Sequence, residues 1–369
     1  MTQPEPTHQP HRLLITGGAG FIGANFVHYW LRHYPQSRVV VLDALTYAGN
    51  AASLAAVADH PNFRLVVASI NDREAVARLL REEAIDTIVH FAAESHVDRS
   101  ISGPDAFIET NIVGTQQLLS AALAVWQEAP GALAGRRFHH ISTDEVYGSL
   151  GLDDPPFSEQ TPYAPNSPYA ASKAASDHLV RAWHHTYGLD TTTSNCSNNY
   201  GPYQFPEKLI PLLILNMLEG KTLPIYGDGS NIRDWLHVDD HCRGIDRILR
   251  YGVSGESYNI GGNCERTNME VVASLCDEMM RHAPPAAGHY RDLIRFVSDR
   301  PGHDRRYAID ARRLEQELGF VPQVQFDQGI ADTVRWYLTE REWWQGVRDG
   351  SYRDWMAHNY DQRQAVAIP

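Results

Sequence analysis

Thr16-Gly17-Gly18-Ala19-Gly20-Phe21-Ile22-Gly23 is the stretch that decides how this chain is read. An apolar run, Leu13 to Thr16, leads into it, and Phe21 to Tyr34 follows with helical spacing. Gly17, Gly20 and Gly23 form G-x-x-G-x-x-G between the strand and the helix. Glycine there permits a tight turn and lets backbone N–H groups approach a pyrophosphate at the helix N-terminus. A lone glycine pattern is weak, because many matches are plain turns. Here an acidic residue, Asp43, lies 20 positions beyond Gly23 and closes a second apolar strand, Val39 to Leu42. A carboxylate at that point accepts both ribose hydroxyls and repels a 2′-phosphate, so NAD is favoured over NADP.

Outward from this unit the alternation continues. Phe63 to Ala68, Thr87 to Ala92 and Phe138 to Ser142 read as strands. Asp72 to Glu83, Pro104 to Glu128 and Pro168 to Tyr187 read as helices, the last stopped by Gly188. Continuous apolar strands separated by helices predict an α/β, Rossmann-type, doubly wound parallel sheet. After about Asn195 prolines and glycines become frequent and the alternation fades, which predicts a smaller α/β substrate-binding domain. The expected division is 11–200 for the dinucleotide half, with a returning segment at about 236–262. The substrate half takes 201–235 and 263–361, and 1–10 is a flexible tail.

Composition narrows the function classes. The chain has 369 residues, 43% of them hydrophobic, enough for a sizeable core. No apolar run reaches the roughly 20 residues that span a bilayer. The net charge of −13 argues against non-specific nucleic-acid binding, which needs a basic stripe. It does not exclude an anionic small molecule held by a local arginine cluster. Cys196, Cys242, Cys264 and Cys276 are scattered with no C-x-x-C pair, so no metal site is expected and a reducing cytoplasm fits.

Two motifs carry chemistry. Tyr169-Ala170-Ala171-Ser172-Lys173 is Y-x-x-x-K at the start of a helix, and a spacing of four puts both side chains on one face. An ammonium nearby stabilises a phenolate, so the tyrosine can accept a proton. Ser142-Thr143-Asp144-Glu145 closes the fifth strand, where open α/β sheets place their chemistry. Adjacent side chains on extended backbone diverge, so both carboxylates serve one ligand only if the chain bends there.

On these residues the chain resembles the extended short-chain dehydrogenases/reductases that act on sugar nucleotides. Within them the Asp144-Glu145 pair resembles the dTDP-glucose 4,6-dehydratases. The resemblance runs from about Arg12 to Tyr360, through Leu45 to Asn50, Phe91 to Ser100, Asn198 to Pro202, Glu207 to Pro211, Gly229 to Trp235 and Arg300 to Arg306. It implies an NAD-dependent lyase with dTDP-glucose as substrate. Tyr169, aided by Lys173 and Thr143, would deprotonate the sugar 4-hydroxyl as hydride leaves C4. Glu145 would take the C5 proton, Asp144 would protonate the departing C6 hydroxyl, and hydride would return to C6. The two carboxyls must then hold opposite protonation states.

The resemblance also implies the contacts. Around the cofactor it places Gly17, Gly20, Phe21, Ile22, Gly23 and Asp43, then Leu45, Thr46, Ser69, Ile70, Ala92, Ala93 and Asn199, beside Tyr169 and Lys173. Around the substrate it places Glu94, His96, Thr143, Asn198, Glu207, Lys208 and Leu209. Pro224, Tyr226, Arg233, Asn268, Arg300, His303 and Tyr360 complete that set, with Arg233 and Arg300 on the diphosphate because a planar fork binds phosphate bidentately. Two departures, Ala44 for a common lysine and Ser69 for a common aspartate, imply weaker NAD binding with the preference kept by Asp43. The helices at 104–128 and 168–187 would pair two copies as a four-helix bundle. A 4-epimerase or decarboxylase shares the glycine motif and Y-x-x-x-K without the acidic pair. A dehydratase for UDP- or GDP-sugars and a non-catalytic NAD sensor also stay open.

Overall fold

The computed structural model describes residues 5–128 and 133–348. Its elements begin with β1 (Arg12–Thr16), α1 (Phe21–His33), β2 (Arg38–Asp43), β3 (Phe63–Val67), α2 (Arg73–Glu82) and β4 (Thr87–His90). There follow α3 (Val97–Ser102), α4 (Asp105–Phe107), α5 (Thr115–Trp126), β5 (Arg137–Thr143), α6 (Pro168–Tyr187) and β6 (Thr191–Cys196). Next come β7 (Asn198–Tyr200), α7 (Leu209–Leu218), β8 (Leu223–Tyr226), β9 (Ile232–His237), α8 (Val238–Tyr251) and β10 (Ser257–Ile260). The described chain closes with β11 (Glu265–Thr267), α9 (Asn268–His282), β12 (Ile294–Val297), α10 (Arg312–Leu318), α11 (Phe326–Thr339) and α12 (Arg341–Val347).

Seven strands form one sheet in the order β3-β2-β1-β4-β5-β6-β10, every neighbouring pair parallel. The order reverses at β1, which lies between β2 and β4. Thr16 is level with both Leu42 and His90, so a crevice opens at the carboxyl ends of these strands. The strands read as unbroken apolar runs because both faces are covered. Leu13, Ile15, Val39 and Val41 pack on one side with Phe26, Trp30, Ile245 and Leu249 of α1 and α8. Leu14, Val40, Leu42 and Ile88 pack on the other with Leu79, Leu119, Trp126 and Val180 of α2, α5 and α6.

A separate apolar cluster gathers the later elements around Tyr200, Leu213, Trp235, Val271, Leu275, Val334 and Tyr337. Its strands form a three-stranded sheet, β11-β9-β7, and a two-stranded one, β12-β8. Of the segment 236–262, only β10 joins the main sheet, beside β6, and α8 delivers it there. No helix among the described residues is long and apolar enough to cross a membrane.

Two expectations need correction. The helix read over 104–128 is not uniform: a π turn, Ile108–Gly114, separates α4 from α5. The Asn111 carbonyl accepts the hydroxyls of Thr115 and Ser176, each at 2.6 Å, and such side-chain bonds compete with the helical ladder. The tail read over 1–10 is tied down in its described part. The backbone N–H groups of Thr7 and His8 donate to the Arg250 carbonyl at 2.8 and 3.1 Å. That carbonyl lies in the last turn of α8, where acceptors lack helical partners. His8 is buried, its Nε2 2.7 Å from the Thr87 hydroxyl.

Candidate active site

The glycine turn shows why side chains are excluded from it. Gly17 has φ +68°, and a Cβ there would lie 2.6 Å from the Ala92 nitrogen at the end of β4. A Cβ at Gly23 would lie 2.3 Å from the Gly17 carbonyl oxygen. At Gly20 a Cβ would meet the Gly17 carbonyl oxygen at 3.4 Å, an ordinary van der Waals contact, so this position is less restricted. Gly20 caps α1 without a side-chain bond, and no acidic residue stands in the first turn. The first N–H groups of α1 therefore point at the crevice with an uncompensated positive end. Asp43 ties the turn to β2, its carboxylate accepting from the N–H of Ala19 at 2.9 Å and of Leu45 at 2.8 Å. Each oxygen keeps a further lone pair for a ribose hydroxyl. These features fit a dinucleotide.

One continuous cleft is lined by Gly17, Gly20, Phe21, Ile22, Gly23, Asp43, Thr46, Ser69, Ile70, Ala92, Ala93 and Asn199. Thr143, Asp144, Glu145, Tyr169 and Lys173 line it too, with Glu94, Asn198, Glu207 and Lys208 at the far side. Leu45 does not; it packs against the sheet core with φ +49°. The two departures, Ala44 and Ser69, both line the cleft. The Ser69 hydroxyl accepts the Asn71 N–H at 3.2 Å, so it is partly engaged in a local turn.

The acidic pair sits on a bend. β5 ends at Thr143, and a 3-10 turn, Asp144–Tyr147, starts at once, with Thr143 as its cap. The Glu145 N–H donates to Thr143 Oγ1 at 3.3 Å, and that hydroxyl donates to Asp144 Oδ1 at 3.3 Å. Gly148 ends the turn at φ +97°, where a Cβ would lie 2.6 Å from the Ala164 carbonyl oxygen. The bend that lets neighbouring carboxylates share one cleft is thus built into the strand end.

Their surroundings drive the two carboxyls apart. Burial, then the charge of Glu145, pushes Asp144 well above the ordinary carboxylic range. Burial also raises Glu145, but Arg300, Arg233 and Lys208 oppose it. Asp144 therefore tends to hold a proton while Glu145 has three cations to stabilise its charge. Asp144 Oδ2 has no hydrogen-bond partner among the described residues.

Tyr169 and Lys173 lie on the first turns of α6. Ser167 caps this helix by accepting from the Ala170 N–H at 3.0 Å, Pro168 occupies the first helical turn, and Gly188 ends it in the left-handed region. Burial and then Glu145 hold the Tyr169 phenol well above its ordinary value, and a hydrogen bond with Thr143 opposes them. Lys173 Nζ donates to the Ile141 carbonyl at 2.7 Å and lies 3.4 Å from His140 Nε2. Burial lowers its ammonium to about 8, with Asp177 opposing. Asp177 Oδ1 is 3.2 Å from His140 Nε2, and Oδ2 accepts the hydroxyls of Ser142 at 2.8 Å and Tyr163 at 2.9 Å.

The substrate-side residues divide. Arg233 donates to the carbonyls of Ile232 at 2.7 Å and Asp304 at 3.0 Å, with its guanidinium 4.3 Å from the centre of the Tyr307 ring. Arg300 Nη1 is 3.6 Å from Asp98 Oδ1, and the Tyr226 hydroxyl donates to Asp98 Oδ2 at 3.0 Å. His303 lies edge-on to Tyr226 and pairs with Asp299 at 2.6 Å. Arg233 and Arg300 both act on Glu145, so the β9 and 300–303 segments converge on the acidic pair from outside the cleft lining. Glu207 is committed to Arg99, at 3.1 and 3.0 Å, and its carboxylate lies 3.9 Å from His96. Lys208 donates to the Ser95 carbonyl at 3.2 Å. Leu209, Pro224 and Asn268 stand apart from the lining, as the first residue of α7, within β8 and at the start of α9. Tyr360 lies outside the described residues.

One residue of the site escapes a reading of motifs. Asn111, in the π turn, brackets Glu94 by accepting its N–H at 2.8 Å and donating to its carbonyl at 3.0 Å. It also donates to Ser172 Oγ at 2.8 Å, between Tyr169 and Lys173. Tyr47 lies under the Arg99 guanidinium at 3.9 Å. Both belong to motif segments; Asn111 does not, and a single asparagine in an apolar helix gives no signal. No group of three or more His, Cys, Asp or Glu among the described residues is arranged to hold a metal ion.

Comparison with known proteins adds to the geometry. The family described as GDP-mannose 4,6 dehydratase matches residues 14–333. A dTDP-glucose 4,6-dehydratase of Neisseria meningitidis serogroup B is 55% identical over 346 residues, covering 93% of this chain and 97% of the relative. One from Xanthomonas campestris pv. campestris (strain B100) is 58% identical over 343 residues, covering 92% and 97%. Among solved structures, DesIV, a dTDP-glucose 4,6-dehydratase from Streptomyces venezuelae with NAD and TYD bound, superposes with a TM-score of 0.84. It is 52% identical and covers 91% of this chain and 99% of its own.

Proposed function

The chain belongs to the dTDP-glucose 4,6-dehydratases, a family of NAD-dependent hydro-lyases, and from that premise we propose how its own residues carry the reaction. It converts dTDP-glucose to dTDP-4-keto-6-deoxyglucose. NAD, when bound, takes hydride from the sugar C4 and gives it back at C6. The glycine turn and the N-terminus of α1 hold the pyrophosphate, and Asp43 holds the adenosine ribose.

Tyr169 removes the proton of the 4-hydroxyl, with the Lys173 ammonium one helical turn away to offset the phenolate charge. The 4-ketone acidifies the C5 hydrogen, which Glu145 takes as general base. Asp144 gives its proton to the departing C6 hydroxyl. Arg233 and Arg300 hold the diphosphate, and Tyr226 borders the base. The observation that carries this reading is the unequal surroundings of the acidic pair: both carboxyls are buried, but Asp144 lies beside a negative charge and is raised further, while Arg300, Arg233 and Lys208 oppose the rise of Glu145. An epimerase has no water to eliminate and no use for such a pair.

The same reading assigns 11–200, with 236–262, to cofactor binding and 201–235 with 263–361 to the substrate. It places the protein in the cytoplasm as a homodimer joined through α5 and α6. Exposed Ile101 (40%) and Ile108 (50%), beside those helices, support a buried partner face. The product would feed deoxysugar synthesis, rhamnose included. The deciding test incubates the protein with dTDP-glucose, and with UDP-glucose in parallel, and weighs the products. Loss of one water from the dTDP sugar without net NAD consumption is expected. A change of structure without change of mass would replace the dehydratase by an epimerase.

A further inference from the structure

On the dehydratase reading, on which this inference rests, Lys173 works as an ammonium behind Tyr169. The fold makes that costly. The Lys173 side chain is buried between α6 and the end of β5. Its Nζ donates to the Ile141 carbonyl at 2.7 Å, which fixes its position without supplying a charge. A buried ammonium keeps its proton where a counter-charge offsets the lost water.

Most groups around it supply none. On β4 and β5, burial holds His90 and His140 well below the ordinary histidine value, so both are neutral. On β6, burial pushes the Cys196 thiol up, so it is neutral too. Burial likewise keeps the phenols of Tyr147 and Tyr163 well above their ordinary value. Tyr169, Asp144 and Glu145 line the cleft itself. Asp177 of α6 stands outside that lining, and among the described residues it is the acidic group behind the ammonium. A spacing of four on α6 puts it on the same face as Lys173. His140 Nε2 lies 3.4 Å from Lys173 Nζ and 3.2 Å from Asp177 Oδ1, so one neutral ring touches both charges. Oδ2 accepts the hydroxyls of Ser142 at 2.8 Å and Tyr163 at 2.9 Å, which favours the carboxylate. Oδ1 forms no regular hydrogen bond among the described residues and faces the ring and the ammonium. Asp177 is itself buried, so water screens the pair little.

We infer that Asp177 is a positioning residue of the reaction: it is the buried counter-charge that keeps Lys173 an ammonium behind Tyr169. It touches neither the cofactor crevice nor the acidic pair, and acts through Lys173 alone. Burial lowers Lys173 to about 8, and Asp177 is the leading group that opposes the fall. Burial raises Asp177 to about 6, so both partners are charged between these two values.

The test follows kcat/KM for dTDP-glucose against pH in the NAD-loaded protein. Wild type should fall along an alkaline limb near pH 8. Asp177→Asn keeps the size and removes the charge, so Lys173 should lose its proton at lower pH. The limb should move down by about one pH unit, the lower end of what a close opposite charge contributes. Activity on the falling limb should then be about tenfold lower. At the acid end Lys173 keeps its proton in both proteins, so the loss there should be small. Asp177→Ser gives the same reading where Asp177→Asn fails to fold. A merely structural tie behaves differently: loosened packing admits water to Lys173 and lowers activity at every pH, with the limb unmoved or moved up. That outcome, or a wild type with no alkaline limb, would overturn the inference while leaving the dehydratase standing. A wild-type protein that removes no water from dTDP-glucose would remove the functional reading and this role with it.

Discussion

At the scale of single residues, the acidic pair has the sharpest consequences. Asp144→Asn keeps the shape and removes the proton, so oxidation at C4 should persist while elimination fails. The expected result is a loss of about 10²- to 10⁴-fold in product formation, with reduced nicotinamide accumulating in its absorbance band. The pH profile follows from the neighbours. In the proposed mechanism Lys173 works as ammonium, and burial lowers it to about 8, so its proton leaves as pH rises through that value. The alkaline limb of kcat/KM should therefore fall near pH 8. In the same mechanism Glu145 works as carboxylate and its carboxyl is raised, so the acid limb should lie above that of an ordinary glutamate. These side chains were legible as types and spacings in the sequence. The need for opposite protonation was legible as well, but not the charges acting on Glu145, because Arg233, Lys208 and Arg300 are more than 60 positions away in the chain.

At the scale of elements, the site depends on two helix features. Gly188 announced the end of α6 in the sequence, and in the structure Ser167 and Pro168 answer the geometric needs of its start. Ser167→Ala should cost about 1 kcal/mol in unfolding free energy, checked by denaturant titration. Because Tyr169 lies in the first turn, kcat should fall with it. The π turn at Ile108–Gly114 is different. It arises because hydroxyls of Thr115 and Ser176 claim the Asn111 carbonyl, and Ser176 comes from another helix. Asn111→Ala would leave the Glu94 N–H and carbonyl without this partner in a half-buried place. A loss of about 1–3 kcal/mol is expected by the same titration, as two half-buried polar groups lose their partner.

At the scale of the whole molecule, the cofactor joins elements far apart in the chain. The glycine turn, β2, the end of β4 and the head of α6 all line one cleft. A ligand that binds only the folded state adds about 2.7 kcal/mol at 100 times its Kd. Removing NAD should therefore lower the melting temperature by several degrees, read by calorimetry, and adding it back should restore the transition. Ala44→Lys and Ser69→Asp should each enlarge the shift at a fixed NAD concentration, since both positions border the cleft near Asp43.

The sequence by itself determined the doubly wound sheet and the dinucleotide turn, and named the side chains to which the proposed chemistry is assigned. Each rests on local rules: apolar runs for strands covered on both faces, glycine where a Cβ collides, and four-residue spacing on a helix. The tertiary structure alone decided the charges around the acidic pair, the π turn that carries Asn111, and the commitment of Glu207 to Arg99. It also decided that the first described residues are anchored on the end of α8. These arise from contacts between distant segments, and burial sets their strength only once the chain has closed around them.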